Sequence, residues 1–240
     1  MGKVRESENS HLERWSMPTL PQRPERTFER DKGPSPDNRS SDARGTYDER
    51  LNHVLRAATD VIARTGYEKA TMREVAKTAG VSLAGLYHYF DGKERILFLI
   101  QFRAFNSLNN GLREKLHGVT DPVEQLQIMV RAHVDYFAAN MAALKVCSHE
   151  FDTLSGEAYE ETRKVRRQYY DLTRAIVERI FDTRAPDKTL DRHVATMLLF
   201  GTLNWLYSWY APKRGCSPTT VANQITTQFL NGVLETDSRA

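Results

Sequence analysis

Cysteine is scarce in this chain. Only Cys147 and Cys216 occur, far apart and in no CxxC pair, so neither a disulfide framework nor a zinc ribbon is expected, and a reducing cytoplasm is the expected location. No apolar run follows a basic start at the amino terminus, so no signal peptide is expected there. A GxSxG elbow, a P-loop and a dinucleotide fingerprint are all missing. His149 stands two residues from Cys147 and one from Glu150, spacings that do not converge on a helix, and no ligand pair at i, i+4 joins them. Catalysis, a metal site and a cofactor are therefore not expected. Charge of one sign is lacking too: 34 Lys and Arg against 31 Asp and Glu leave a net charge of +3 over 240 residues. That balance excludes a histone-like polycation, so any nucleic-acid contact must come from local basic positions. Long hydrophobic runs reduce to one, residues 194–211. Thr196, Thr202, Asn204 and Ser208 interrupt it and Pro212 ends it, which favours a helix buried on several sides over a membrane span.

What is present is helical periodicity. Residues 1–46 are polar and mixed in charge, with Pro18, Pro21, Pro24, Pro34 and Pro36, and are expected to form a disordered, solvated tail. At Leu51 an apolar period begins: Leu51, Val54, Leu55, Ala58, Val61 and Ile62 recur at the spacing of one buried helix face, and Gly66 closes the segment. The pattern stays helical to the end without a convincing alternating strand, so the expected fold class is all-α, with about nine helices. After a short pair within 71–90, helices are expected near 93–116, 122–139, 141–154, 157–181, 190–210 and 218–234, separated at Gly118, Asp121-Pro122, Ser155-Gly156, Ala185-Pro186 and residues 215–218.

The short pair has strong local signals. Thr71-Met72-Arg73-Glu74 is a capping box, in which the threonine hydroxyl accepts from the Glu74 amide and the carboxylate returns to the Thr71 amide. Gly80 supplies the left-handed backbone of a tight turn, and Ser82 can cap the next helix. Val75, Ala79, Val81, Leu86 and Phe90 can share one small core, while Ala76 lets the helices cross closely. Two short helices joined by a three- or four-residue turn is the helix-turn-helix plan. A further box at Asp91-Gly92-Lys93-Glu94 starts the long helix and puts Lys93 in its first turn. Lysine opposes the helix dipole there, and a phosphate contact would explain it.

From Ala70 the chain reads ATMREVAKTAGVSLAGLYHYFDGKERIL. Over residues 51–100 it resembles the DNA-binding domain of the tetracycline-repressor (TetR/AcrR) family, written TTxREVAxxAGVSxxxLYxYFxxKExL. The resemblance implies a three-helix DNA-binding domain at 47–92, with residues 82–89 as the recognition helix in the major groove of double-stranded DNA. Leu83, Ala84 and Gly85 match base-facing positions but carry no side-chain donor, leaving thymine methyls or close backbone approach. Polar readout falls to Arg73 and His88. Thr71, Ser82, Tyr87, Tyr89 and Lys93 match phosphate-holding positions, with a partly buried structural role equally open for Tyr89. So sparse a recognition helix points to specificity drawn partly from DNA shape and symmetry.

Beyond residue 100 only the helical plan of the family is shared, and 93–240 is expected to be a ligand-binding and dimerisation domain. Met197, Leu198, Phe200, Gly201, Leu203, Trp205, Leu206 and Trp209 surround most of the 190–210 helix, while Val221, Ile225, Phe229 and Leu230 give 218–234 one apolar face. In the family the last two helices build a four-helix bundle across a two-fold axis. That implies a homodimer whose heads, about 34 Å apart, meet a palindromic operator. His133, Tyr136, Phe137, Cys147, Phe151, Tyr169, Tyr170, Asn204 and Trp205 combine apolar bodies with polar tips and are the pocket candidates, an ordinary packed core being the alternative. Residues 148–156, Arg163, Arg166, Arg167, Tyr169-Tyr170, 201–205 and Trp209-Tyr210 resemble the subset of these regulators that governs fatty-acid, sterol or aromatic-acid breakdown and senses acyl-CoA. That resemblance implies that Arg163, Arg166 and Arg167 face CoA phosphates, a solvated helix face being the alternative. The function so implied is a regulator, a repressor released by a small-molecule effector, with an activator or a ligand-independent regulator as alternatives. The long helix from Lys93 is the expected lever between two states.

Overall fold

The computed structural model describes residues 39–183, 190–211 and 215–234, with side chains from Glu49 onward. Residues 1–38 of the expected tail lie outside the described residues. Helix α1 (Arg39–Thr65) starts before the apolar period does, so 39–46 of that tail are helical. Periodicity marks burial, and polar helical turns carry no such mark. The helix stops where Gly66, at φ 80°, sends its amide to the Ile62 carbonyl at 2.8 Å. There follow α2 (Met72–Ala79), α3 (Leu83–Tyr89), α4 (Lys93–Lys115), α5 (Pro122–Ala139), α6 (Met141–His149), α7 (Gly156–Thr183), α8 (Arg192–Asn204), α9 (Leu206–Trp209) and α10 (Pro218–Val233). The described residues hold no β-strand element, and the fold is all-α.

Two of the expected helices are broken. The 141–154 segment ends as a helix at His149 and continues as a single 3₁₀ turn, Phe151–Thr153. The reason lies in Glu150, whose carboxylate accepts from the Tyr67 amide at 3.1 Å while its carbonyl accepts from Gln101 Nε2 at 3.1 Å, fixing the chain from both sides. The 190–210 segment breaks at Trp205 into α8 and α9. No helix among the described residues is long and apolar enough to cross a membrane.

Burial divides into two cores. One gathers Val54, Ala58, Val61 and Ile62 of α1, Val75 and Ala76 of α2 and Leu86 of α3 with Ile96, Leu97 and Ile100 of α4. Val146 and Leu154 belong to it as well. The other is built on Leu108 and Leu112 of α4, Leu126, Met129, Val130 and Val134 of α5, Ile176, Val177 and Ile180 of α7, Leu199 and Leu203 of α8, and Val221 and Ile225 of α10. The expected division after Gly92 marks a helix start but not the edge of a core, because the first two turns of α4 pack with the helices before it. Burying each such Leu, Ile or Val stabilises the fold by about 1.5–3 kcal/mol relative to exposure, so α4, anchored in both cores, joins them mechanically.

Candidate functional site

The short pair forms as its caps dictate. Thr71 Oγ1 accepts from the Glu74 amide at 3.2 Å, and Ser82 Oγ from the Gly85 amide at 2.9 Å. The return half of the first box is absent: the Glu74 carboxylate turns to Arg64 at 2.6 Å instead, tying the end of α1 to α2. Gly80 adopts φ 65°, and the Val81 amide reaches back to the Ala76 carbonyl at 3.0 Å, which sets the crossing of α2 and α3. A Cβ on Gly85 would meet Ser82 Oγ at 3.1 Å, so the glycine keeps the cap uncrowded. Val75, Ala79, Leu86 and Phe90 are buried together, with Val81 half-buried against them.

Thr71, Arg73, Ser82, Ala84, Tyr87 and His88 stand exposed on this pair, whereas Leu83, Gly85 and Tyr89 are half-buried. Arg73 and His88, the two groups expected to read bases, thus lie in solvent and not in the core. Tyr89 lies beside His88 and Phe90, with ring centroids 5.7 Å and 6.3 Å away. Lys93 departs from expectation. Its Nζ donates to the Tyr67 carbonyl at 2.7 Å and the Glu68 carbonyl at 3.3 Å and lies 4.1 Å from the Tyr67 ring centroid. These internal contacts account for a lysine at a helix start without a phosphate. The 91–94 box does not form either: Gly92 caps α4 without a side-chain bond, and the Glu94 carboxylate accepts from the amide and hydroxyl of Ser155, at 3.1 Å and 2.8 Å.

The pocket candidates fall into separate groups. His133, Phe137 and Tyr169 are fully buried together, with His133 Nδ1 3.2 Å from the Tyr169 hydroxyl and the His133 ring 4.8 Å from Phe137. Tyr136 packs edge-on to Phe137. Burial pushes the His133 imidazole down to about 3, so it stays neutral at any physiological pH. A second group holds Cys147, Phe151 and Arg166. Desolvation pushes the Cys147 thiol up to about 12, against the opposing pull of Arg166, which makes it a packing group and not a nucleophile. Arg166 donates to the Cys147 carbonyl at 2.8 Å and lies over the Phe151 ring. Tyr170 turns away, stacking on Phe200 and meeting His193 Nδ1 at 2.5 Å. Asn204 is half-buried, and Trp205, 60% exposed, stands outside the core and apart from the other pocket candidates.

The three arginines do not share a surface. Arg163 is buried and paired with Glu160 at 3.2 Å, Arg167 pairs with Asp171 at 2.9 Å, and Arg166 sits between aromatic rings. Sequence reasoning missed Phe105, Gln101, Asn109 and Thr162. The last three are buried, and Gln101 Oε1, Asn109 Oδ1 and Thr162 Oγ1, like His133 Nε2, have no hydrogen-bond partner. Polar residues within an otherwise apolar helix face are the signal that could have found them.

On the outside, Val194, Met197, Leu198, Trp205 and Trp209 are about half exposed or more. Beside them α8 and α10 leave a groove of about 280 Å³, lined by Val194, Leu198, Ile225 and Phe229 among others. An apolar face of this kind is seldom left to water.

Residues 54–100 match the profile of bacterial regulatory proteins of the tetR family, and residues 119–233 match that of the tetracyclin repressor-like C-terminal domain. The chain is 30% identical over 154 residues to the HTH-type transcriptional activator FasR of Mycolicibacterium smegmatis, covering 64% of this chain and 67% of FasR. Among solved structures, the TetR-family regulator PfmR from Thermus thermophilus aligns with a TM-score of 0.66 and 29% identity, over 74% of this chain and 96% of PfmR. AibR, solved with isovaleryl coenzyme A and operator DNA, aligns with a TM-score of 0.66 over 75% of this chain and 97% of its own, at 23% identity, a likeness of fold.

Proposed function

The chain belongs to the TetR family of bacterial regulatory proteins, and from that premise we propose that it is a repressor that binds a palindromic operator as a homodimer and is released by an acyl-CoA-like effector. Transcriptional regulation is the family's activity; the sign, the dimer and the effector are this reading's additions. The observation that carries it is the exposure of Arg73 and His88, together with Thr71, Ser82 and Tyr87, on a capped two-helix reader. In this reading Thr71, Ser82 and Tyr87 hold phosphates, and Leu83, Ala84 and Gly85 approach base edges closely. Residues 47–92 act as the DNA-binding domain and 93–240 as the effector and dimer domain. The apolar face of α8 and α10 meets its two-fold mate, which places two heads on one side of the duplex. AibR, whose structure holds an acyl-CoA and operator DNA, supports the effector class.

Fluorescence anisotropy of the full chain on its own promoter against random duplex tests the reading. A clear preference at moderate salt is expected, and equal binding to both refutes it. FasR is named an activator, which favours the opposite sign as the second reading. Transcripts of neighbouring genes in a deletion strain separate the two, rising under repression and falling under activation.

A further inference from the structure

We propose that the effector presents a carbonyl or carboxylate oxygen to the Arg166 guanidinium, beside the half-buried Phe105 and Phe151 and on the face of α7 that carries the buried Thr162. The inference rests on the effector-responsive reading above and names the chemistry of that site. Arg166 lies between two rings, 4.7 Å from the Phe105 centroid and 4.4 Å from that of Phe151. Of the five N–H donors of a guanidinium, one goes to the Cys147 carbonyl at 2.8 Å. Among the described residues no carboxylate lies within ion-pair distance of it, unlike Arg163 and Arg167. Arg166 is half-buried; burial pushes its pKa down while Cys147, Asp152 and Tyr159 pull the other way, and a cation so placed gains from an oxygen that can share its charge.

A second observation points into the same place. Thr162 stands four residues before Arg166 on α7 and so shares its face. It is fully buried, and its hydroxyl has no partner. The other buried helical threonines, Thr173, Thr196 and Thr226, each donate to the carbonyl four residues back, at 3.0, 2.8 and 2.9 Å. Thr162 does not, which leaves its hydroxyl for something else. Further along α7, Tyr169 bonds His133, whose Nε2 is also buried and unpartnered. A guanidinium and a hydroxyl on one helix face both donate to an oxygen, and the flanking phenyl rings accept an alkyl or aryl body. A bare hydrocarbon would leave the donors unsatisfied, and a sugar-like polyol would leave the rings uncovered. The shared chemistry is therefore a C=O oxygen on an apolar chain, from a free acid or from its thioester.

The site is also placed to be read. Phe151 follows Glu150, whose carboxylate accepts from the Tyr67 amide in the loop after α1. An oxygen that competes with the Cys147 carbonyl for Arg166 acts on the turn that holds the loop between α1 and α2 and the first turns of α4.

Calorimetry on the full-length protein with dodecanoate, dodecanoyl-CoA and dodecyl-CoA, a thioether without the carbonyl, tests this. One of the two carbonyl ligands should bind about tenfold or more tightly than the thioether, and Arg166→Met should erase that difference. Which of the two binds separates acid from thioester. Should Arg166→Met fail to fold by circular dichroism, Thr162→Val takes its place, with a loss of about threefold expected. Equal binding of carbonyl and thioether ligands overturns the proposal. So does unchanged discrimination in the variant, or no binding by any of the three. These outcomes leave operator recognition untouched, since that is measured on promoter DNA without ligand. A protein with Arg166-dependent binding but no promoter preference would sink the repressor reading alone.

Discussion

Acid should weaken this protein through one side chain, His133. The imidazole is 1% exposed, its Nδ1 is 3.2 Å from the Tyr169 hydroxyl, and burial drives its pKa down to about 3. In the unfolded chain a histidine titrates near 6.5. The folded state thus binds fewer protons than the unfolded state between those values, so stability is fully present above about 6.5 and is lost as pH falls toward about 3. From pH 7 to pH 5 the linkage relation gives a loss of about 2 kcal/mol from this residue, and each further unit down to the folded pKa removes about 1.4 more. The assay is urea unfolding of wild type and His133→Phe at matched pH values. The variant leaves the Tyr169 hydroxyl without its partner, at a cost of about 1 kcal/mol near pH 7, but has no imidazole to protonate there. Contributions common to the two proteins cancel. The wild-type curve should therefore fall relative to the variant's by about 2 kcal/mol across the window. A difference that stays flat from pH 7 to pH 5 would refute the buried, neutral assignment.

Three further outcomes follow from single contacts. Gly80→Ala meets nothing within 4 Å, so its cost is the left-handed backbone alone, about 1–2 kcal/mol in denaturant unfolding. Lys93→Met removes two charge-assisted bonds to the Tyr67 and Glu68 carbonyls and should lower stability by about 1–3 kcal/mol. It should leave the salt dependence of promoter binding nearly unchanged, whereas loss of a phosphate contact would flatten the slope by about one. Leu198→Asp, at a side chain 67% exposed on the α8 face, should convert a dimer to a monomer in sedimentation velocity without unfolding it; a dimer retained would move the interface elsewhere.

The fold was legible where local chemistry is decisive. Thr71, Gly80 and Ser82 fix a helix start, a turn and a second start by bonds within three residues, and each forms where the residue types require it. The α5 start was equally plain, because Asp121 caps it and Pro122 suits its first turn. What stayed hidden depends on distant partners. Nothing near Glu74 in sequence says that Arg64 will outbid the Thr71 amide, and nothing near Lys93 says that it folds back on Tyr67. The break at Glu150 has the same cause, since an amide 83 residues away holds its carboxylate. The exposure of Trp205 was not legible because an aromatic in an apolar run reads the same whether it faces a core or an outer surface. Phe105 gave no local signal, and Thr162 only that of a polar residue on an apolar helix face.

These long-range bonds converge on one place, and their arrangement bears on how a signal could cross the molecule. The turn at 150–155 accepts from Tyr67 through Glu150, donates to Glu94 through Ser155, and takes a bond from Gln101 at the Glu150 carbonyl. Val146 before it and Leu154 within it are buried in the amino-terminal core, while Leu144, two residues earlier than Val146, is buried in the other. A shift of this turn cannot be absorbed by one core alone, because close-packed interiors do not deform continuously. It must either break the bonds to Tyr67 and Glu94 or carry the first turns of α4 and the end of α1 with it. Either response changes the footing of α2 and α3. In the proposed reading, coupling between the interior of 93–240 and α2 and α3 would therefore run through the turn at Glu150 and would need no motion along the full length of α4.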